Sequence, residues 1–281
     1  MNNLSVVLRD AQVNNYAVGS FNIYNYETIK GVIECVRELK IPAIIAFGEA
    51  YLENMSPESV RVLADTLSEG IVTPLALHLD HCKSFKNIIK AIRAGFTSVM
   101  YDGSSLDIEE NIRQTREIVD IAHSVNVSVE AELGSLAGGK YSNEGGGREI
   151  YTDPAQAKRF VEATGVDALA VSIGTVHGMY KGIPKIDMDV LRSIHREVSI
   201  PLVLHGGSGT PENIIRECIK NGIRKINVNT EISMHTVAGT AKYISENPGC
   251  HLSKLSLVQT ELVKEIVRKY ILMFNFEPEG S

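Results

Sequence analysis

The sequence has little of what marks an oxidised, membrane-bound or nucleic-acid-binding protein. Its 281 residues include four cysteines, Cys35, Cys82, Cys218 and Cys250, widely spaced and with no Cys-x-x-Cys among them. That argues against a disulfide framework or a structural zinc module and leaves reduced packing thiols as the expectation. Nowhere do 18 apolar residues run together, and Met1-Asn2-Asn3-Leu4 opens without a charged segment followed by an apolar one. Neither a membrane span nor a secretory leader is therefore expected, and the location expected is cytoplasmic. Net charge is -6 with both signs scattered, so there is no basic stripe for nucleic acid and no polybasic membrane anchor. What remains is a small-molecule partner. The chain is 44% hydrophobic and 22% charged, which suits a globular protein with a large core, and its length fits one α/β barrel or two ordinary domains.

The order of the chain favours the barrel. Tyr16 to Phe21, Ala43 to Phe47, Leu75 to Leu79, Ser98 to Tyr101, Ser128 to Leu133, Ala168 to Ser172, Leu202 to Leu204 and Lys225 to Val228 are eight strand-like runs that alternate with helical patterns. Tyr26 to Lys40 carries apolar residues at helical spacing, Ser56-Pro57, Ser84 and Asp153-Pro154 start helices, and Gly95 stops one. A doubly wound sheet would want a glycine-rich first turn, but Phe21-Asn22-Ile23-Tyr24-Asn25 stands there. The expected fold is α/β, a single (β/α)8 TIM barrel of one domain over residues 1–281, with residues 1–15 as an N-terminal helix and 253–274 as a C-terminal helical extension that packs on the barrel or on a second subunit. Residues 275–281 are expected to be a disordered tail. Gly134 to Ile150, long and glycine-rich after a strand end, has the profile of a mobile active-site loop.

Three strand-like runs end in histidine: Leu75 to His81, Val171 to His177 and Pro201 to His205. Parallel barrel strands converge on one mouth, so His81, His177 and His205 are expected to close on a single zinc ion that keeps a fourth position for substrate. Asp80 precedes one of them and, by strand alternation, points to the other side, placed to exchange a proton rather than to bind the same ion. Asp102 and Glu132 end the next two strands, where carboxylate oxygens suit a second or alternative divalent cation. Gly206-Gly207-Ser208-Gly209 and Asn227-Val228-Asn229-Thr230 follow the last two strands and lead into helices, the usual position of a phosphate site in such barrels. Lys181 could add a positive charge to the phosphate.

With these segments Ala17 to Asn22, Gly95 to Ser104, Val129 to Gly134, His177 to Gly182 and Lys225 to Glu231 complete a set that runs in order across most of the chain. Taken together it resembles the class II, zinc-dependent ketose-bisphosphate aldolases, the group that includes fructose- and tagatose-bisphosphate aldolases. The resemblance implies that His81, His177 and His205 hold catalytic zinc, that Asp102 and Glu132 lie at a second metal position, and that Asp80 is the proton donor. It implies further that dihydroxyacetone phosphate is held by Gly178, by Gly206, Gly207 and Ser208 and by Asn227, Val228, Asn229 and Thr230, with Asn22 and Lys181 also on the substrate. A monovalent cation, Na+ or K+, is expected to assist, and a homodimer or homotetramer is the family expectation. The carbon-bound proton needs a base from the loop after Glu132; the usual acidic run is replaced by Lys140-Tyr141-Ser142-Asn143-Glu144, so Glu144 is the candidate.

The reaction expected is reversible cleavage of fructose 1,6-bisphosphate to dihydroxyacetone phosphate and glyceraldehyde 3-phosphate. Tagatose 1,6-bisphosphate or a related keto-sugar phosphate is the alternative, because Gly48 and Lys242 depart from the fructose pattern and residues 249–255 lack its usual Asp-Pro-Arg-like segment. From other classes, a non-catalytic zinc-containing phosphosugar-binding protein fits the altered loop and tail. A zinc hydrolase fits the three histidines but leaves the two anion-binding turns unexplained.

Overall fold

A computed structural model describes residues 1–142, 150–180, 182 and 184–276. Its centre is a closed barrel of eight parallel strands: β1 (Val18–Asn22), β2 (Ala43–Gly48), β3 (Leu75–Cys82), β4 (Ser98–Tyr101), β5 (Ser128–Leu133), β7 (Ala168–Val171), β9 (Leu202–Leu204) and β10 (Ile223–Val228), with β10 pairing back onto β1. The numbers β6 (Ala137–Gly138) and β8 (Val176–His177) belong to a two-stranded parallel sheet outside the barrel. Every barrel strand is buried along nearly its whole length, so β2, β7 and β9 read as continuous apolar runs, while β5 and β10 interleave apolar with buried polar residues.

Among the described residues ten α-helices accompany the strands. The expected start signals work as read: Ser56 caps α3 (Pro57–Leu67) through its side chain with proline at the first position, Ser84 caps α4 (Phe85–Ala94), and Asp153 caps α6 (Pro154–Thr164). The helix α1 (Leu4–Asn14) closes the bottom of the barrel, where Leu4, Val7, Leu8 and Ala11 pack on Val18, Ile44, Ala76, Ala168, Ala170 and Val203. The opposite end is left for the site.

The last helix, α10 (Leu252–Phe274), lies on α2 (Tyr26–Leu39), α9 (Thr230–Glu246) and β1 of its own barrel, burying Val263, Val267, Tyr270, Ile271 and Phe274. Each such aliphatic or aromatic side chain contributes about 1.5–3 kcal/mol when removed from water. The approach to α2 depends on Gly31, where an added Cβ would stand 2.7 Å from Val263 Cγ1 and 2.9 Å from the Thr260 carbonyl oxygen.

At the C-terminus Asn275 Nδ2 donates to the Ile271 carbonyl at 2.8 Å and Phe276 lies under the Arg216 guanidinium at 5.0 Å, while residues 277–281 lie outside the described residues. The glycine-rich loop has a paired stem: Ser135 and Ile150 form an antiparallel bridge, and Gly138-Gly139-Lys140 bonds to His177 and Met179. One expectation needs correction. His177 does not sit at a barrel-strand end, because β7 stops at Val171 and the chain turns through Gly174, at φ +104°, before β8.

Candidate metal and substrate site

The C-terminal mouth of the barrel gathers the three histidines from three kinds of backbone. His205 follows β9 directly, His177 sits on β8 against the loop stem, and His81 lies inside β3. The His81 ring is 4.4 Å from that of His205 and 4.8 Å from that of His177, and His177 and His205 are 6.0 Å apart, centre to centre. One nitrogen from each lies within 4.8 Å of the others.

His81 reaches this cluster only because strand alternation breaks. Leu77 and Leu79 pack into the core between barrel and helices, while His78 and Asp80 face inward, so a regular strand would turn His81 toward the helices. Instead the β3–β4 register slips between Leu79 and Cys82, and His81 adopts φ +45°. This is a bulge with a non-glycine residue in left-handed conformation, which costs about 1–3 kcal/mol unless the surroundings enforce it. The expectation that Asp80 and His81 point to opposite sides is thereby corrected: the bulge brings both to the mouth.

Asp80 is held by two amides. Asn22 Nδ2 donates to one carboxylate oxygen at 3.0 Å and Asn227 Nδ2 to the other at 3.0 Å. Burial pushes its pKa up, but His81, Lys225, His78 and His205 outweigh burial and hold the carboxyl below the usual carboxylate range. Asn22 and Asn227, expected on the substrate, therefore also position the acid.

Beneath Asp80 runs a buried chain of polar contacts. Lys225 Nζ donates to Asn227 Oδ1 at 2.7 Å and to Glu130 at 2.8 and 3.1 Å, and His205 Nε2–H donates to Glu130 Oε1 at 3.0 Å. That last bond fixes the His205 tautomer and leaves Nδ1, 3.4 Å from Glu132 Oε2, as its ligating nitrogen. Burial raises the Glu130 pKa, but Lys225 and His205 bring it down to about 2. For His205 burial lowers the pKa, but hydrogen bonds to Glu130 and Glu132 lift it to about 10. Burial and the neighbouring His81 bring His177 down to about 3. His78, bonded through Nδ1 to Ser98 Oγ at 2.8 Å, is brought down to about 4 by burial and Lys225.

The donor set suits zinc. A tetrahedral ion with nitrogens at about 2.0–2.1 Å spaces them by about 3.3 Å, so small side-chain rotations close the observed spread. His81, Asp102 and Glu132 form a second group with ligand atoms within 4.8 Å, a mixed nitrogen and oxygen set suited to a harder cation. Asp102 there accepts from Ser104 Oγ at 2.6 Å and pairs with Lys83 at 3.4 Å.

The expected anion loops border the same pocket: Gly178, Gly206, Ser208, Asn227, Asn229 and Thr230 line it with the three imidazoles. Gly206, at φ +74°, lies so close to Val176 that a Cβ would stand 2.2 Å from its carbonyl oxygen. Not every named residue reaches the pocket. The Gly207 N–H donates to the Asn227 carbonyl at 3.0 Å, tying the two loops together, and the Val228 side chain is in the hydrophobic core. Ser208 Oγ accepts from the Asn229 and Glu231 N–H groups at 3.3 and 3.2 Å, capping α9 from another loop. Lys181 and Glu144 lie outside the described residues. Beyond Asn229 and Thr230 a cavity of about 340 Å³ opens, walled by Tyr24, Tyr51, Asn54 and Ser233.

The residues the sequence reading passed over are Glu130, Lys225 and His78. Glu130 and Lys225 share alternation with Glu132 and Asn227 on their own strands, and that inward register was the available signal.

Residues 2–278 match the family model described as fructose-bisphosphate aldolase class-II. The chain belongs to the class II fructose-bisphosphate aldolase family. Among solved structures, the YdjI aldolase from Escherichia coli K12 is 34% identical, covers 100% of both chains and superposes with a TM-score of 0.86. The fructose-bisphosphate aldolase from Campylobacter jejuni, at 21% identity over 97% of this chain and 94% of its own, shares the fold with a TM-score of 0.81. Membership of the class II aldolases makes the protein a lyase, and among its described residues no helix is long and apolar enough to cross a membrane.

Proposed function

We propose that the protein is a zinc-dependent aldolase that reversibly cleaves a ketose 1,6-bisphosphate, fructose 1,6-bisphosphate foremost, into dihydroxyacetone phosphate and glyceraldehyde 3-phosphate. The observation that carries this reading is the meeting of three imidazole nitrogens within 4.8 Å of one another, next to a buried Asp80 whose carboxyl is held below the usual carboxylate range. His81, His177 and His205 would hold the zinc, which when bound supplies a Lewis acid to the carbonyl end of the substrate. Glu130 fixes which His205 nitrogen is offered. In cleavage, the Asp80 carboxylate takes the proton of the C4 hydroxyl as the C3–C4 bond breaks, so that C4 leaves as an aldehyde and the electron pair stays with C3. In condensation it returns that proton. Glu144 remains the proposed partner for the proton at C3.

Gly206, Ser208, Asn229 and Thr230, beside the α9 N-terminus, would receive the phosphate of the dihydroxyacetone half. The cavity beyond Asn229 offers room for the aldehyde half. The group of His81, Asp102 and Glu132 would take a second divalent cation.

The test is a cleavage assay on chelator-treated protein, with fructose 1,6-bisphosphate and tagatose 1,6-bisphosphate, before and after zinc is added back. Triose phosphate released only with zinc supports the reading, and the faster substrate names the sugar. Undiminished turnover after chelation, or no triose phosphate from any ketose phosphate, contradicts it.

A further inference from the structure

His81 is held in an unfavourable backbone conformation, and the three residues after it are fastened to one carboxylate. Glu49 begins a short 3-10 turn (Glu49–Tyr51) at the end of the neighbouring strand β2. Its Oε2 accepts the Lys83 N–H at 3.0 Å; its Oε1 accepts the Ser84 N–H at 3.3 Å, the Cys82 thiol at 3.2 Å and Asn87 Nδ2 at 2.8 Å. Four donors, all within six residues of His81, thus converge on a side chain from another strand. The fastening is completed by Asp102, whose N–H donates to the Cys82 carbonyl at 2.9 Å.

We infer that Glu49 is a positioning residue for the metal site: its carboxylate pins the residues that follow His81 and so enforces the bulge that turns this imidazole toward His177 and His205. The reason is geometric. A left-handed non-glycine residue relaxes to ordinary strand geometry when nothing opposes it, and in that geometry the His81 ring faces the helices. Strand pairing opposes the relaxation only in part, because the β3–β4 register is broken between Leu79 and Cys82 and resumes at Cys82↔Tyr101. The Glu49 contacts oppose it further, since a chain that straightened at His81 would carry the Lys83 and Ser84 N–H groups away from their acceptor. Glu49 touches neither the ligating nitrogens nor the pocket; it acts through the backbone of the bulge.

This inference rests on the reading of the three histidines as a metal site, and the experiment separates the two. Zinc affinity is measured by competition with a chromophoric chelator for the unaltered protein, for His177→Ala, for Glu49→Ala and Glu49→Gln, and for Ser56→Ala. The last removes the cap of α3, a stability loss remote from the site. Cobalt(II) spectra of the same proteins report the ligand geometry. The expected result is zinc affinity about 10- to 100-fold weaker for Glu49→Ala, a smaller loss for Glu49→Gln, which keeps one acceptor oxygen, and none for Ser56→Ala. The tetrahedral cobalt bands should weaken in step, and excess zinc should restore turnover. If Glu49→Ala binds zinc within twofold of the unaltered protein with an unchanged cobalt spectrum, while His177→Ala does not bind, the metal site stands and the inference falls. If the unaltered protein shows no tight zinc site, both fall. If Ser56→Ala weakens zinc as much as Glu49→Ala, the effect belongs to global stability and the positioning role is refuted.

Discussion

Replacing Lys225 by methionine tests the buried polar chain that carries the site. Lys225 and Glu130 are both fully buried, so neither charge has water to fall back on. In Lys225→Met the Glu130 carboxylate keeps only His205 as a charged hydrogen-bond partner, and Asn227 loses the donor to its Oδ1. Breaking a buried pair by removing one partner costs about 3–5 kcal/mol, a large share of a total stability of about 5–15 kcal/mol. For a chain of this size that corresponds to a fall in Tm of about 6–20 °C. The double variant Glu130→Gln with Lys225→Met removes both charges, and its glutamine oxygen still accepts from His205 Nε2–H. It should recover most of the loss, since replacing both members of a buried pair is often close to neutral. Urea unfolding of the metal-free proteins measures both. A single variant within about 1 kcal/mol of the unaltered protein, or a double variant no more stable than the single, would refute the claim that an unpaired Glu130 charge dominates the cost.

Asp80→Asn keeps the shape of the side chain but removes the proton acceptor; turnover should fall about 10²- to 10⁴-fold while zinc content is retained, as steady-state kinetics and metal analysis would show. Zinc loading should release a proton from His205, because the metal-free ring keeps its proton up to about pH 10, against an ordinary value of 6.5, and only the neutral ring ligates. Between pH 7 and 9 the affinity should therefore rise by about tenfold per pH unit, and calorimetry in buffers of different ionisation enthalpy should count close to one proton released. The same shift has a sign for metal-free stability: the contribution of protonated His205 is present below pH 6.5 and lost as pH rises through about 10. Glu130, held at about 2 against 4.5, acts in the opposite direction, adding stability above pH 4.5 that is lost as pH falls through about 2.

How much of this was legible depended on whether a residue obeyed the rules of its element. Barrel strands such as β2, β7 and β9 were readable because burial on both faces leaves unbroken apolar runs, and the helix starts because Ser56, Ser84 and Asp153 do by hydrogen bonding what their residue types suggest. The three histidines were found as strand-end residues, yet two of the three reach the cluster by means that regular strand geometry does not contain. His81 needs a bulge at positive φ, and His177 needs a separate strand paired to the stem of the glycine-rich loop. Neither follows from periodicity, because each is imposed by residues distant in the chain: Glu49 in one case, Gly138 and Lys140 in the other. Glu130 and Lys225 were hidden for another reason. Their strand register marks them as inward-facing, but the pairing of the two charges, 95 positions apart across the barrel, is in no local pattern.

The most direct test of the account is the structure of the zinc-soaked protein with anomalous scattering recorded at the zinc edge. The account predicts a strong peak within about 2.0–2.1 Å of a nitrogen of each of His81, His177 and His205. A fully loaded protein whose zinc lies elsewhere, or is bound without one of these imidazoles, would contradict it.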